Sequence, residues 1–210
     1  MKTIQNEYFN RFCDVIKRSL TDVSKFNVCL SDMVSDSEDE INHINVYDFP
    51  AYNMEVIKLD EYTKDFKIKR QSEMPDVKNH QPRAVDAICI NKSNEWYLIE
   101  FKNEKLKAAK KDAQGKMLDS LWLIAFLYSK LSEKFADETD FLKFARENIT
   151  FITVVNSNKN LRMVPAIGVT WAENGPHYRP ESYYDFKGYC FKDAYVLTES
   201  GLRSFVAHFD

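Results

Sequence analysis

Apolar residues recur every three or four positions near the start of the chain, at Ile4, Tyr8, Phe12, Val15, Ile16 and Leu20. That spacing predicts an amphipathic helix over residues 3–20 with one buried face. From 44 to 70 the period shortens. "INVYDF", "MEVIKL" and "FKIKR" alternate apolar and polar positions, as half-buried strands do. "QSEMPDVKNHQP" (71–82) has no period and two prolines, and reads as a loop. "RAVDAICIN" and "EWYLIEFK" then flank "KSN", the pattern of a β-hairpin with a tight turn. A long helix is expected next, with Leu106, Ala109, Ala113, Met117, Leu121, Ile124 and Tyr128 on one face. "ITFITVVN" (149–156) is rich in β-branched residues and suits a strand covered on both sides, and the rest reads as short strands and loops. The fold class these elements predict is mixed α/β: a central mixed β-sheet flanked by helices.

Both faces of the predicted hairpin are apolar, which places it in the middle of its sheet, yet its open end is charged. A turn centred on Ser93 sets Ile90 opposite Trp96, Ile88 opposite Leu98, and Asp86 opposite Glu100. Directly opposed positions hold their Cβ atoms about 4.5–5.5 Å apart, so two carboxylates would repel at close quarters. Lys102 shares the face of Glu100 because side chains alternate along a strand. Charge buried in this way is costly unless compensated. One solution is an ion pair with Lys102. Another is a divalent cation, since Mg²⁺ takes oxygen ligands, typically one or two carboxylates with waters and phosphate oxygens.

Composition narrows the partners. The 210 residues suit one domain, with a core over about 1–160 and a C-terminal extension, about 161–210, packed on it. A net charge of −3 argues against a protein that is basic throughout, so any contact with nucleic acid must come from a local patch. Residues 102–116 supply one, with six lysines against Glu104 and Asp112. Lys107, Lys111 and Gln114 fall on one helical stripe. The four cysteines, at 13, 29, 89 and 190, form no CxxC pair and do not point to zinc. No apolar signal core opens the chain and the apolar run "LWLIAFLY" (121–128) is too short to span a bilayer, so no membrane contact and a cytoplasmic setting are expected. "SDMVSDSEDE" (31–40) holds five acids and no base, a solvated segment or a docking surface. "VVNSNKNLR" (154–162) offers Asn and Lys after a core strand, where substrate loops often lie, while His177 in "GPHYRP" gains no role from its setting.

Asp86, followed by Glu100-Phe101-Lys102, resembles the signature of the PD-(D/E)xK nuclease superfamily, over roughly residues 83–130. The order of the remaining elements is similar to the core of that superfamily, and no particular family within it is singled out. The resemblance implies a restriction-endonuclease-like fold and a nuclease that hydrolyses phosphodiester bonds in DNA. It implies Mg²⁺ or Mn²⁺ held by Asp86, Glu100 and the backbone carbonyl of Phe101, with Lys102 orienting or helping to deprotonate the attacking water. Relatives add an acid from the first helix, for which Glu7 is the candidate beside Asp14. They also place a Gln or Lys of the next helix in the site, which brings in Gln114 and Lys116; Lys107, Lys111 and Lys116 are then the candidates to hold nucleic acid. The literal Pro75-Asp76 is a second candidate for the first acid. By analogy, cutting both strands of a duplex calls for two active sites and so for a homodimer. Two rival readings share the scaffold: a catalytically silent binding or interaction module, and an RNA-cleaving toxin or defence effector.

Overall fold

The protein is described from a computed structural model, which covers residues 6–20, 22–25, 28–29, 38–39, 44–45, 55–60, 62–63, 82–135, 141–160 and 180–209. It is mixed α/β, with a four-stranded mixed sheet flanked by helices. The sheet is made of β5 (Ala87–Ile90), β6 (Trp96–Lys102), β7 (Ile149–Val155) and β8 (Asp193–Thr198), in that spatial order. β5 and β6 are antiparallel, whereas β6, β7 and β8 run parallel. Shorter pieces precede it: β1 (Val28–Cys29) pairs with β4 (Glu55–Val56), and β2 (Glu38–Asp39) with β3 (Ile44–Asn45). Just after β4, Ile57 exchanges both backbone hydrogen bonds with Ile88, each 2.9 Å, which brings that segment onto the free edge of β5.

The hairpin register matches the alternation in the sequence: Ala87 faces Ile99, Ile88 faces Leu98, Cys89 faces Tyr97 and Ile90 faces Trp96. The turn is held by Asn91, whose Oδ1 accepts from the backbone N–H of Ser93 and Glu95 at 3.0 and 2.9 Å. Asn94 adopts φ 60°, a conformation that asparagine tolerates better than most residues. At the other end, Asp86 leaves the ladder and the backbone N–H of Val85 turns to Ser120 Oγ, 3.0 Å away.

Helices cover both faces. On one lie α1 (Glu7–Lys17), α2 (Leu106–Phe135), α3 (Phe141–Asn148) and α4 (Glu181–Tyr184), whose buried residues join Ile88, Ile90, Trp96, Leu98, Phe151 and Val196 in one cluster. On the other, Leu202 and Phe205 of α5 (Glu199–Ala207) pack on Ala87, Cys89, Ile99, Phe101, Ile152 and Val154. β7 is buried at all of its positions, as its β-branched run requires. The end of the chain is built into the sheet: β8 is its fourth strand, and α5 begins on Thr198, which caps it through Gly201 N–H. Among the described residues no helix is long and apolar enough to cross a membrane.

The Asn-rich segment after β7 turns inward. Asn160, 6% exposed, accepts from the N–H of Leu106 at 2.9 Å and donates to the carbonyls of Glu104 and Asn156 at 3.1 and 2.8 Å. It supplies the first turn of α2 with the acceptor that the helix lacks. Lys159 Nζ likewise donates to the carbonyl of Asn103 at 2.9 Å. This stretch, expected to meet substrate, therefore ties the end of β7 to the start of α2.

Candidate active site

Asp86, Glu100 and Lys102 meet at the carboxyl end of β6, where α/β sheets commonly place their ligands. Asp86 Oδ2 accepts the backbone N–H of Phe101 at 2.7 Å. The side chain thus takes the ladder bond that β5 no longer provides. Ile88 directs its backbone groups to Ile57, so Ile99 and Phe101 direct theirs to the β5 side, and the carbonyl of Phe101 lies on the same side of β6 as Asp86.

Glu100 is fully buried, beside its register partner Thr153 on β7. Two ammonium groups approach it. Lys102 Nζ lies 2.8 Å from Glu100 Oε1 and also pairs with Asp112 on α2. Lys116 Nζ, from the next turn of α2, lies 2.8 Å from Glu100 Oε1, 2.9 Å from Oε2 and 3.2 Å from Asp86 Oδ1. The two carboxylates therefore converge on a single cationic point. Oε1 has both ammonium groups as neighbours, each at 2.8 Å.

Burial, and then repulsion from Asp86, push the Glu100 carboxyl up to about 7 against the pull of Lys116 and Lys102. Burial alone would lower both lysines, but the surrounding carboxylates outweigh it: Glu100 and Asp112 for Lys102, Asp86 and Glu100 for Lys116. Both are held above the ordinary lysine range. Asp112 is held below the usual carboxylate range, its burial outweighed by Lys102, Lys116 and Arg83.

A pH prediction follows from Glu100. Between its ordinary value of 4.5 and about 7 the native state binds a proton that the unfolded chain has lost. The stabilisation is complete below the lower value and is lost as pH rises through the upper one. In a chelator-containing buffer, the urea midpoint of the wild type minus that of Glu100→Gln should fall across this window. A flat difference would show that Glu100 titrates as an exposed carboxylate.

The oxygen donors suit a hard divalent cation. Asp86 Oδ1 and both Glu100 oxygens already surround one cation, and the Phe101 carbonyl points to the same side of β6 as Asp86. No sulfur or imidazole ligand belongs to the set, which favours Mg²⁺ or Mn²⁺ over zinc. Among the described residues no three His, Cys, Asp or Glu side chains group as a metal site, so the two carboxylates would need backbone or water oxygens to complete a shell.

The other candidates separate. Glu7 pairs with Arg11 on the exposed side of α1. Its neighbour Asn6, which caps α1, bonds the carbonyl of Ile90 at the turn end of the hairpin, four strand residues and roughly 13 Å from Asp86. Glu7 is not a member of this site, because packing anchors the helix start at the opposite end of the strand. Gln114 donates to the carbonyl of Ser182 at 3.1 Å, toward α4, whereas Lys116 reaches the carboxylates. Lys107 is exposed on the first turn of α2, and the side chain of Lys111 lies outside the described residues, as do Asp76, His177 and most of the acidic segment 31–40.

Several neighbours had no obvious signal. Thr153 Oγ1 and Tyr183 OH are 2.7 Å apart, so α4 adds a buried phenol next to the strand position beside Glu100. Arg83 binds Asp119 Oδ2 through its backbone N–H at 3.1 Å and its Nε at 3.0 Å. Its guanidinium lies over Gly115, where an added Cβ would sit 2.1 Å from Nη2. Asp112 precedes the buried Ala113 and so lines the margin of the helix's buried stripe, and that periodicity was the signal available for it. No family model matches the chain, nor does any curated protein or solved structure.

Proposed function

We propose that the protein is a Mg²⁺- or Mn²⁺-dependent nuclease with a restriction-endonuclease-like core, hydrolysing phosphodiester bonds in DNA. One observation carries this reading: Asp86, just before β5, and Glu100 of β6 converge on one cation at a strand end, with Lys102 against the same buried carboxylate. The order of first helix, hairpin, long helix and parallel strand agrees with such a core.

Asp86, Glu100 and the Phe101 carbonyl would hold the metal. When bound, a divalent cation supplies the Lewis acidity that makes water a nucleophile near neutral pH and offsets charge on the phosphoryl oxygens. The chain's own groups do the rest. The N–H of Phe101 fixes the direction of the Asp86 carboxylate, so one ligand is set by backbone geometry. Lys102, held by Glu100 and Asp112, presents an ammonium beside the reacting centre, where it orients the attacking water and stabilises phosphoryl charge. Exposed lysines at the start of α2, Lys107 among them, face the solvent from which a polyanion would approach.

Lys116 favours a second reading, because its ammonium already compensates both carboxylates. On that reading the cluster is a structural ion network in a binding module. Incubating the protein with supercoiled plasmid, single-stranded DNA and RNA, each with Mg²⁺ and with chelator, separates these possibilities. Magnesium-dependent cutting of DNA is expected. Cutting confined to RNA would reassign the substrate to that of an RNA-cleaving effector, and no cutting of any of the three would favour the binding module.

A further inference from the structure

Lys116 Nζ touches the oxygens that the proposed function assigns to a divalent ion: Asp86 Oδ1 at 3.2 Å and Glu100 Oε1 and Oε2 at 2.8 and 2.9 Å. An ammonium and a metal ion cannot both occupy that point, since magnesium binds its oxygens at about 2.0–2.1 Å and would repel a neighbouring positive charge. We propose that Lys116 is a resident cation which holds the carboxylate pair together and yields it to Mg²⁺ or Mn²⁺ by swinging toward Asp112, so that metal binding is an exchange of cations. This inference rests on the nuclease reading and adds a regulatory side chain to it.

Three features of the site support an exchange over a permanent bridge. The first is a destination. Asp112 lies one helical turn before Lys116, the favourable order for an acid and a base four residues apart. Its side chain is 43% exposed; Lys102 holds Oδ2, and the nearest contact of Oδ1 with Arg83 is a distant 3.9 Å. The second is that the ligands remain in place when the lysine leaves. Asp86 stays on the N–H of Phe101, and Glu100 stays on Lys102. The third is charge. Asp86 and Glu100 converge on the ammonium of Lys116. A divalent ion held by the same oxygens repels that ammonium and drives it outward.

The test is a calorimetric titration of Mn²⁺ into wild type, Lys116→Gln and Asp112→Asn. If the ammonium holds the pair in nine molecules of ten, Lys116→Gln should bind about tenfold more tightly than wild type. Asp112→Asn, lacking the receiving carboxylate, should bind severalfold more weakly. Wild-type binding that is matched or weakened in Lys116→Gln overturns the exchange and leaves the nuclease reading standing. If neither wild type nor Lys116→Gln binds Mn²⁺, the nuclease reading itself fails and the exchange falls with it. Binding by Lys116→Gln alone supports the exchange and makes Lys116 the group that keeps the wild type closed. A second measurement needs no variant. Acetylation of the wild type, read by mass spectrometry, should modify Lys116 faster when Mn²⁺ is present; an unchanged or slower rate in a protein that binds Mn²⁺ contradicts the swing.

Discussion

Glu100→Gln is expected to lower magnesium-dependent cleavage by about a thousandfold or more, roughly 4 kcal/mol of transition-state stabilisation, while the fold persists. Glutamine keeps the volume of the side chain and can still accept a hydrogen bond from one lysine. It removes the anionic oxygen that makes Glu100 a metal ligand. Alanine is a poorer probe, because Glu100 is fully buried between two ammonium groups. Removing one partner from a buried ion cluster costs about 3–5 kcal/mol, so lost activity in Glu100→Ala could reflect unfolding. Circular dichroism and a urea melt on the glutamine variant provide the control. Cleavage at the wild-type rate in a folded Glu100→Gln would remove Glu100 from the chemistry.

Trp96→Ala is expected to destabilise the fold by about 3–5 kcal/mol, or on the order of 10 °C in melting temperature. Trp96 opens β6 and is 2% exposed. Its ring meets Phe12 of α1 at 4.5 Å, Phe144 of α3 at 5.5 Å and Tyr128 of α2 at 6.5 Å between centroids. Its indole N–H donates to Asn94 Oδ1 at 2.9 Å, which joins the turn to the same cluster. Alanine would leave a cavity that three helices and a strand border, and a site of that kind collapses poorly. The strand that loses this anchor is also the one carrying Glu100 four residues on. Denaturant unfolding measures the effect; a loss below about 1 kcal/mol would show that the helices are held to the sheet by other contacts.

The hairpin was legible because strict alternation and a short polar turn leave one register that buries both apolar faces. Its charged end was legible for the same reason: once Ile88 faces Leu98, Asp86 and Glu100 must approach. The long helix and β7 followed from their periods, with Ala113, Met117 and Ile124 buried as expected. Placement across distance was not legible. The period of α1 identified its buried face, but only tertiary packing anchors Asn6 at Ile90 and so keeps Glu7 away from the carboxylates. Asn160 belongs by sequence to a segment where substrate loops lie, because polar side chains after a core strand suit such a loop, yet its amide caps α2 from inside. α5 went unread among aromatic residues, although Thr198 followed by Glu199 was a helix-start signal. Lys116 was visible as a helix-borne candidate, but its position between the two acids depends on how α2 crosses the end of β6.

The central claim is that Asp86 and Glu100 form a site for a divalent cation. Calorimetric titration of Mg²⁺ and Mn²⁺ into wild type, Asp86→Asn and Glu100→Gln tests it most directly. The account predicts saturable binding to the wild type that disappears in both variants while their circular dichroism is unchanged. Binding that persists undiminished in both variants, or the absence of binding of either ion by the wild type and by Lys116→Gln alike, would contradict it and leave the cluster of Asp86, Glu100, Lys102 and Lys116 as a structural ion network.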